Sequence, residues 1–436
     1  MTDPPTPTVR VIVLNYNGGA MTVACLQAMV RTDWPSDALD IVLVDNASAD
    51  GVAETVRADL PQVEVIRSDE NLGFAGGMNL GLRDLPLDAG YAALVNNDVT
   101  VDPGWLRPLV AALDADAQVG AACPKILLAD QYEEIEIVGT AHRLAWSDRR
   151  PVTVQVSGAR IDGADAGRRV RFARGFWGPE FTRDSTQPPF QWATAHASLL
   201  FPAPVVGARE LRLAAARPTR VVLRNARSQT EVSVGATPSW YELPPAAGEF
   251  AVVNNVGSEL RPDGYVQDRG YLERDSGQFD RPDTVFAWCG ATVLLRGSYL
   301  RSVGRLDERL FTYYEDVDLA WRGKTKGWNY VTAPDSVVHH IHMATSAARL
   351  PIATYYNERN RLLVLSRYAP KSTAISAFLR ALAVTGSYAK RDVIGRLLRG
   401  ARPSWTVTAL RLRALRDFVL MRAGLTPRSP RAAKRL

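Results

Sequence analysis

Three short stretches carry side chains that could do chemistry. In YAALVNNDVTVD, residues 91–102, an apolar run ends on Asn96, Asn97 and Asp98, so three oxygen-bearing side chains stand where the chain leaves a sheet. Such residues serve turns, because Asn and Asp hydrogen-bond their own backbone. In FTYYEDVDLAWRGKTKGW, Glu315 and Asp316 open a helical pattern beside Tyr313 and Tyr314. A carboxylate against an aromatic wall holds its proton more tightly and can act as a general base, and acids at a helix start also complement the helix dipole. Asp318 and Arg322, four apart, can pair along the same helix. In VVHHIHMATS, three of the five histidines fall at 339, 340 and 342. A strand there puts His340 and His342 on one face, from which imidazoles could join an acidic residue on a metal; loose surface histidines are the alternative.

The elements that must position these groups follow from hydrophobic periodicity. VRVIVLNYN is an apolar run that stops at Asn15, Tyr16, Asn17, Gly18 and Gly19, and a helical pattern follows from Met21 to Val30. IVLVDNASADG repeats the plan, with a buried strand, polar residues from Asp45 onward, and Ser48 or Asp50 as a helix cap. VEVIRS and YAALVNND add two strands. Apolar strands alternating with helices imply a parallel α/β sheet covered on both faces, and ligands of such sheets bind beyond the carboxyl ends of the strands. Asn15, Asp45 and the Asn96–Asp98 run all fall at such ends. The glycines of NLGFAGGMNLG (Gly73, Gly76, Gly77 and Gly81) do not spell GxGxxG, which disfavours a dinucleotide domain. They are expected to let backbone approach the sugar or phosphates of a nucleotide.

From about 131 to 282 the texture changes to short alternating segments such as RVVLRNA, TEVSVG and EFAVVNN, separated by turn residues. That pattern predicts an inserted antiparallel, sandwich-like β domain, because the buried texture resumes at VFAWCGATVLL. After Pro370 the chain is helical and basic. From Ser366 onward 16 Lys and Arg face two acids, whereas the preceding residues hold 36 bases and 44 acids. Such a tail suits phosphates, of anionic lipid or of nucleic acid; no nucleic-acid reader motif accompanies it, and a membrane surface is the expected partner. Cys25, Cys123 and Cys289 match no metal spacing and read as buried reduced thiols. MTDPPTPTVR lacks the basic-then-apolar plan of a secretory signal, and no stretch approaches the ~20 apolar residues of a membrane span, so a cytoplasmic location is expected.

Six stretches, VIVLNYNGG, IVLVDNASADG, ENLGFAGGMNLG, LVNNDVTVD, the run from FAWCGATVLL through KTKGW, and HHIHMATS, resemble in this order the family 2 inverting glycosyltransferases of the GT-A fold, in particular the bacterial rhamnosyltransferase-like branch. The resemblance covers residues 8–130 and 283–365, and leaves 131–282 as insert and 366–436 as tail. It implies that NND holds Mg2+ or Mn2+ against the diphosphate of a nucleotide-sugar donor, with Asp98 as the carboxylate and His340 or His342 completing the site. Asp45 and Asn46 would bind the donor's nucleoside, with Asn15, Tyr16 and Asn17 in the same pocket, Gly73 and Asn79 bordering it, and Asn96 and Asn97 beside the diphosphate. Asp316 would be the base that deprotonates the acceptor hydroxyl, and Glu315 its reserve. Trp288, Cys289 and Gly290 would stand on the acceptor side, where Arg359 and Arg361 either bind the phosphates of a lipid-linked acceptor or form ion pairs on a helix. Asn96 stands where the family pattern often has aspartate, and VGRLDE departs from the usual double glycine and aromatic before DE. The implied activity is metal-dependent transfer of a sugar, rhamnose from dTDP-rhamnose before a uridine-diphosphate sugar, onto a glycan at the inner face of the membrane. A nucleotidyltransferase and a non-catalytic glycan-binding scaffold are the rival readings.

Overall fold

The computed structural model describes residues 6–85, 90–145, 148–180, 189–203, 207–341, 350–398, 402–425 and 427. Strands β1 (Thr8–Asn15), β2 (Leu39–Asn46), β3 (Val63–Ser68) and β4 (Gly90–Asn96) run parallel in the order 3-2-1-4, joined through helices α1 (Ala20–Val30), α2 (Val52–Asp59) and α3 (Gly73–Gly81). Both faces are buried, as continuous apolar strands require. Val9, Val11 and Val13 pack with Leu26 and Met29 of α1, Val56 of α2 and Leu109 of α4 (Leu106–Asp114). Ile12, Val42 and Val44 face the other layer, which holds Met78 of α3, Leu300 of α5 (Gly297–Val303) and Leu319 of α6 (Glu315–Lys324).

Beyond β4 the sheet is mixed. Thr292–Arg296 runs antiparallel between β4 and β6 (Val119–Leu128), and Asn329–His340 runs parallel to β6 and antiparallel to the short β5 (Val99–Val101). The mostly parallel expectation therefore holds for β1–β4 and for Asn329–His340 against β6, and yields at the short β5 and at Thr292–Arg296, which returns from a long excursion with no crossover helix to impose direction. The register does the positioning: Asn15 pairs with Asp45, Leu14 with Asn96, and His340 with Val99.

The glycine-rich stretch is mainly a packing device, which corrects the expectation that it lets backbone approach a nucleotide. A Cβ on Gly77 would lie 2.3 Å from Leu14 and one on Gly81 2.5 Å from Ile12, so α3 lies against β1 at a distance only glycine allows. Gly73 is the exception: its φ of +71° is left-handed and it borders the cavity described below.

Residues 130–252 with 386–408 make a second compact unit. It is antiparallel throughout, with strand order Gln229–Val234, Thr219–Arg224, Gln131–Gly139, Gln191–Ala203, Gln155–Ile161, Arg209–Ala214, Ser239–Glu242. Its core is Ile135, Leu199, Phe201, Leu211 and Leu223 with their neighbours. The sheet curls until its two ends meet, where Ala215 N donates to Gly235 O at 2.8 Å and Tyr241 Oη to Ser233 O at 3.1 Å. It is a nearly closed barrel rather than two facing sheets. Residues 253–282, read from the sequence as insert, belong to the α/β unit. The chain continues into α7 (Leu350–Tyr368), α8 (Lys371–Tyr388) and the helix Thr406–Arg422. No described helix is long and apolar enough to cross a membrane.

Candidate active site

The carboxyl ends of β1, β2 and β4 open on a cavity of about 510 Å³ within the α/β unit, a size typical of small-ligand sites. β4 ends at Asn96, and the chain turns through Asn97 and Asp98 into β5. Because His340 sits opposite Val99, its imidazole reaches the Asp98 carboxylate, with Nε2 3.0 Å from Oδ1. On the other side of the ring Nδ1 meets Asn254 Oδ1 at 2.7 Å. With Nδ1–H donating there, the Nε2 lone pair faces a carboxylate oxygen, two acceptors in contact. A cation, proton or metal, resolves that contact. The spacing suits a metal: adjacent ligands of a six-coordinate ion with ~2.1 Å bonds stand about 3 Å apart, and an amide oxygen orienting the second ring nitrogen is the usual support of a histidine ligand. Among the described residues no cluster of three His, Cys, Asp or Glu side chains is positioned to hold an ion. The protein thus offers Asp98 and His340, and His342 lies outside the described residues.

The loops after β1 and β2 are tied by polar side chains, most of which stand behind the cavity. Asn15, fully buried, accepts from Gly18 N and Thr22 Oγ1 at 3.0 and 2.8 Å and donates to Ser48 Oγ at 3.0 Å. Asn97 donates to Thr22 Oγ1 at 2.9 Å and Asn17 accepts from Ala49 N at 2.9 Å, so both brace the same loops. Asp45 is buried, accepts from Ser48 N at 3.1 Å and lies 3.3 Å from Arg67 Nε. It does not line the cavity; its neighbour Asn46 does, together with Tyr16, Gly73, Asn96 and Asn97. Asn79 is a correction to the sequence reading: it is buried against Leu306 and Glu308, donating to each at 2.9 Å, and joins α3 to the DE loop.

The opposite wall is the start of α6. Asp316 accepts from Val317 N at 2.7 Å and from Gly290 N at 3.1 Å. Burial raises its carboxyl to about 6, and the nearby Asp268 charge adds to this while the amide donors oppose it. Glu315 is pushed well above the carboxylate range, first by burial and then by the Asp316 charge, and its Oε2 has no hydrogen-bond partner. The expected Asp318–Arg322 pair forms at 2.9 Å. The approach to this acidic pair is strained: Phe311, Tyr313 and Tyr314 have φ of 67°, 65° and 68°. Left-handed backbone at bulky residues costs of order 1–3 kcal/mol each and persists only where the surroundings enforce it. The enforcing groups are on α7. Asn360 Nδ2 donates to Leu310 O, Thr312 O and Tyr313 O at 2.9, 2.9 and 2.7 Å, and Arg359 Nη2 donates to Arg309 O and Leu310 O at 3.0 and 2.9 Å.

Of the two readings for Arg359 and Arg361, phosphate ligands or ion pairs on a helix, the ion pair is the one that forms, at Arg361. Arg359 is spent on carbonyls and on the rings of Tyr355 and Tyr356. Arg361 is buried, pairs with Glu358 at 2.6 Å and stacks 4.0 Å from Tyr265. Neither lines the cavity. Trp288 is likewise core, edge-on to Tyr330 and Tyr299 at 4.9 and 6.0 Å. Cys289 and Gly290 do line the cavity, and burial holds the Cys289 thiol well above its usual range.

Sequence reasoning missed Asp268, Asn254 and Asn360. Asp268, an exposed side chain held by the Asn255 amide, lines the cavity with Asp98, Glu315 and Asp316. A signal existed: AVVNN repeats the LVNN pattern of an apolar strand ending on two asparagines, inside a stretch that its spacing assigned to the β insert.

The family model for Glycosyl transferase family 2 matches residues 10–136. Over 110 residues the chain is 26% identical to Glycosyltransferase AglE of Haloferax volcanii, covering 24% of this chain and 36% of that protein. Over 62 residues it is 45% identical to N-acetylglucosaminyl-diphospho-decaprenol L-rhamnosyltransferase of Mycobacterium tuberculosis, covering 14% of this chain and 20% of that one. The chain thus spans about a third or less of these curated relatives. Among solved structures it is similar to the mannosyltransferase PcManGT of Pyrobaculum calidifontis in complex with GDP-Man and Mn2+ (TM-score 0.42, 15% identity, 95% of this chain and 87% of that one). It is also similar to GalNAc-T7 with UDP, GalNAc and Mn2+ (TM-score 0.42, 13% identity, 84% and 48%).

Proposed function

We propose, from the premise that residues 10–136 are a Glycosyl transferase family 2 domain, that the chain is a divalent-cation-dependent inverting glycosyltransferase acting on a nucleotide-sugar donor. One observation carries the reading. The described lining of the cavity holds four carboxylates (Asp98, Asp268, Glu315 and Asp316) and His340, and neither lysine nor arginine. A nucleoside diphosphate brings at least two negative charges into that field, and apposed like charges in a sheltered site cost several kcal/mol. Mg2+ or Mn2+ held by Asp98 and His340 would supply the missing positive charge and stabilise the departing diphosphate.

The chain's own residues do the rest. Tyr16, Asn46, Gly73 and Asn96 offer the donor's nucleoside a wall at the strand ends, with Asp45 and Asn15 holding that wall from behind. Asp316, fixed by the Gly290 and Val317 amides, accepts the proton of the acceptor hydroxyl as its oxygen attacks the anomeric carbon from the face opposite the nucleotide. Inversion in one displacement needs no enzyme nucleophile. Glu315, whose carboxyl burial and the Asp316 charge push well above the usual range, stands beside that base as its reserve.

Rhamnose from dTDP-rhamnose is the favoured sugar, on the strength of the 45% identity to a rhamnosyltransferase over 62 residues; a uridine-diphosphate sugar is next. A glycan borne on lipid is the favoured acceptor, reached from the inner face of the membrane through the basic, apolar C-terminal helices. Incubation with radiolabelled sugar nucleotides and Mn2+ tests this directly. Transfer or slow donor hydrolysis that EDTA abolishes and Mn2+ restores is expected, and Asp98→Ala should weaken donor binding ~10-fold or more only when the ion is present. Donor binding indifferent to EDTA would overturn the assignment of the ion.

A further inference from the structure

The cavity that holds Asp316 does not end at Asp268. That side chain also lines an open groove of about 490 Å³ whose other walls are Glu259, Gln267, Arg269, Tyr271, Glu273 and Phe279. Asp268 stands at the junction in a fixed orientation. Asn255, fully buried, accepts from Gly257 N at 2.7 Å, which sets its amide so that Nδ2 donates to Asp268 Oδ1 at 2.6 Å. The hairpin of Ser258–Leu260 and Val266–Asp268 is seated by Ser258 N donating to Ala287 O at 2.8 Å, on the segment that leads to Gly290 and hence to Asp316. The carboxylate at the junction and the base are therefore referred to one rigid frame.

The chemistry of the groove selects among ligands. Its one guanidinium, Arg269, is committed to Asp283 at 2.9 Å and to Glu259 at 3.5 Å and lies over the Phe279 ring at 5.2 Å, while the carboxylates of Asp268 and Glu273 stand outside that pairing. A phosphate or a nucleotide finds no free cation there. An alkyl chain finds too many charges. A saccharide finds what it needs: carboxylates and the Gln267 amide to accept and donate hydroxyl hydrogen bonds, and the exposed Tyr271 ring (40% exposed) against which the C–H face of a pyranose or furanose can lie. We infer that this groove is an acceptor subsite. It takes the saccharide unit next to the one whose hydroxyl Asp316 deprotonates, and Asp268 receives hydroxyl hydrogen bonds where the two cavities meet.

The inference rests on the glycosyl-transfer reading, so the test separates them. Wild type, Tyr271→Ala and Gln267→Ala are assayed with Mn2+ and the labelled sugar nucleotide that the wild type turns over, against octyl glycosides offered as monosaccharides and as disaccharides. Thermal unfolding checks that each variant is folded. Donor hydrolysis without acceptor should be unchanged in both variants. The wild type should prefer the disaccharide by about tenfold or more in kcat/KM, and Tyr271→Ala should erase most of that preference by raising the disaccharide KM. A disaccharide preference that survives both substitutions, or a wild type that never shows one, would overturn the subsite while leaving the catalytic reading intact. A wild type that turns over no sugar nucleotide overturns the catalytic reading, and the subsite with it.

Discussion

As the proposed base, Asp316 would have to be two things at once, a carboxylate sheltered enough to want a proton and ordered enough to accept it from the acceptor hydroxyl. Its folded value of about 6 stands above the ordinary 3.8, mainly because burial disfavours the charge. The sign follows. The fold favours the protonated form, so the stability that Asp316 lends is complete below pH ~4 and is lost as pH rises through about 6. Activity should have the opposite slope, since the ionised form is the proposed base. Transfer by the wild type should rise with pH to a plateau, with an apparent midpoint near 6. Asp316→Asn should lose transfer by ~10³-fold or more while donor binding stays within about twofold. The same variant should unfold at higher temperature than wild type at pH 7, by an amount worth about 1–3 kcal/mol, and the gain should vanish near pH 4. Chemical denaturation at the two pH values measures it. A wild-type stability equal to that of the variant at pH 7 would show that the carboxylate is not strained by its site. At this scale the sequence was most legible where chemistry leaves a type signature: Asp98, His340 and Asp316 stand out as acids or imidazoles at element ends. It was least legible for amides. Asn15, Asn79 and Asn254 have side chains that serve backbone or another side chain, and a sequence shows their type but not the partner.

At the scale of elements, the feature that needs explaining is the loop leading into Glu315 and Asp316, which holds a conformation its residues resist. Phe311, Tyr313 and Tyr314 are bulky and left-handed, which no propensity predicts, and the reason lies on α7, about 50 residues away. Asn360 presents one amide to three carbonyls, and its neighbour Arg359 shares that of Leu310 and adds that of Arg309; this is what the NERNR stretch does, although its arginines read from sequence as either phosphate ligands or helix ion pairs. Removing the amide leaves buried carbonyls unsatisfied at about 1–3 kcal/mol each. Asn360→Ala should therefore destabilise the protein by about 2–4 kcal/mol and lower kcat by more than tenfold, with donor affinity nearly kept. Asn360→Asp, equal in size but with no hydrogen to donate, should fail alike. If the loop relaxes, Asp316 loses its shelter, so the acid limb of the pH–rate profile should move below 6. A purely packing role predicts instead that Asp rescues Ala and that the limb stays put. The parallel half of the sheet was readable because buried strands alternate with helices at a fixed rhythm. The hairpin of Ser258–Leu260 and Val266–Asp268 was not, because short antiparallel strands look alike whether they belong to an insert or to the parent sheet.

At the scale of the molecule, charge and apolar exposure concentrate in one part of the chain. Among the described residues fifteen large apolar side chains are well exposed, and ten of them lie between Ile375 and Leu425. On α8, Ile375, Leu379 and Leu382 recur at helical spacing, at 60, 58 and 43% exposure, and on Thr406–Arg422, Leu412 and Val419 stand seven apart. A water-facing helix ordinarily hides such a stripe. Sixteen bases against two acids from Ser366 onward fit the proposed cover, a lipid leaflet with its apolar interior and anionic rim. The expected behaviour has two separable parts. Vesicles containing about a third anionic lipid should sediment the protein, neutral vesicles far less so, and raising salt to ~0.5 M should release most of it, because each base contributes about 1 kcal/mol only within a Debye length. Ile375→Glu with Leu379→Glu should abolish sedimentation even at low salt, since charge alone does not insert a helix. Both positions are exposed, so unfolding should shift by no more than ~0.5 kcal/mol per site. Sedimentation that depends on salt but not on these two residues would leave electrostatic contact without insertion, and sedimentation on neither kind of vesicle would remove the membrane from the account of how this cavity meets its acceptor.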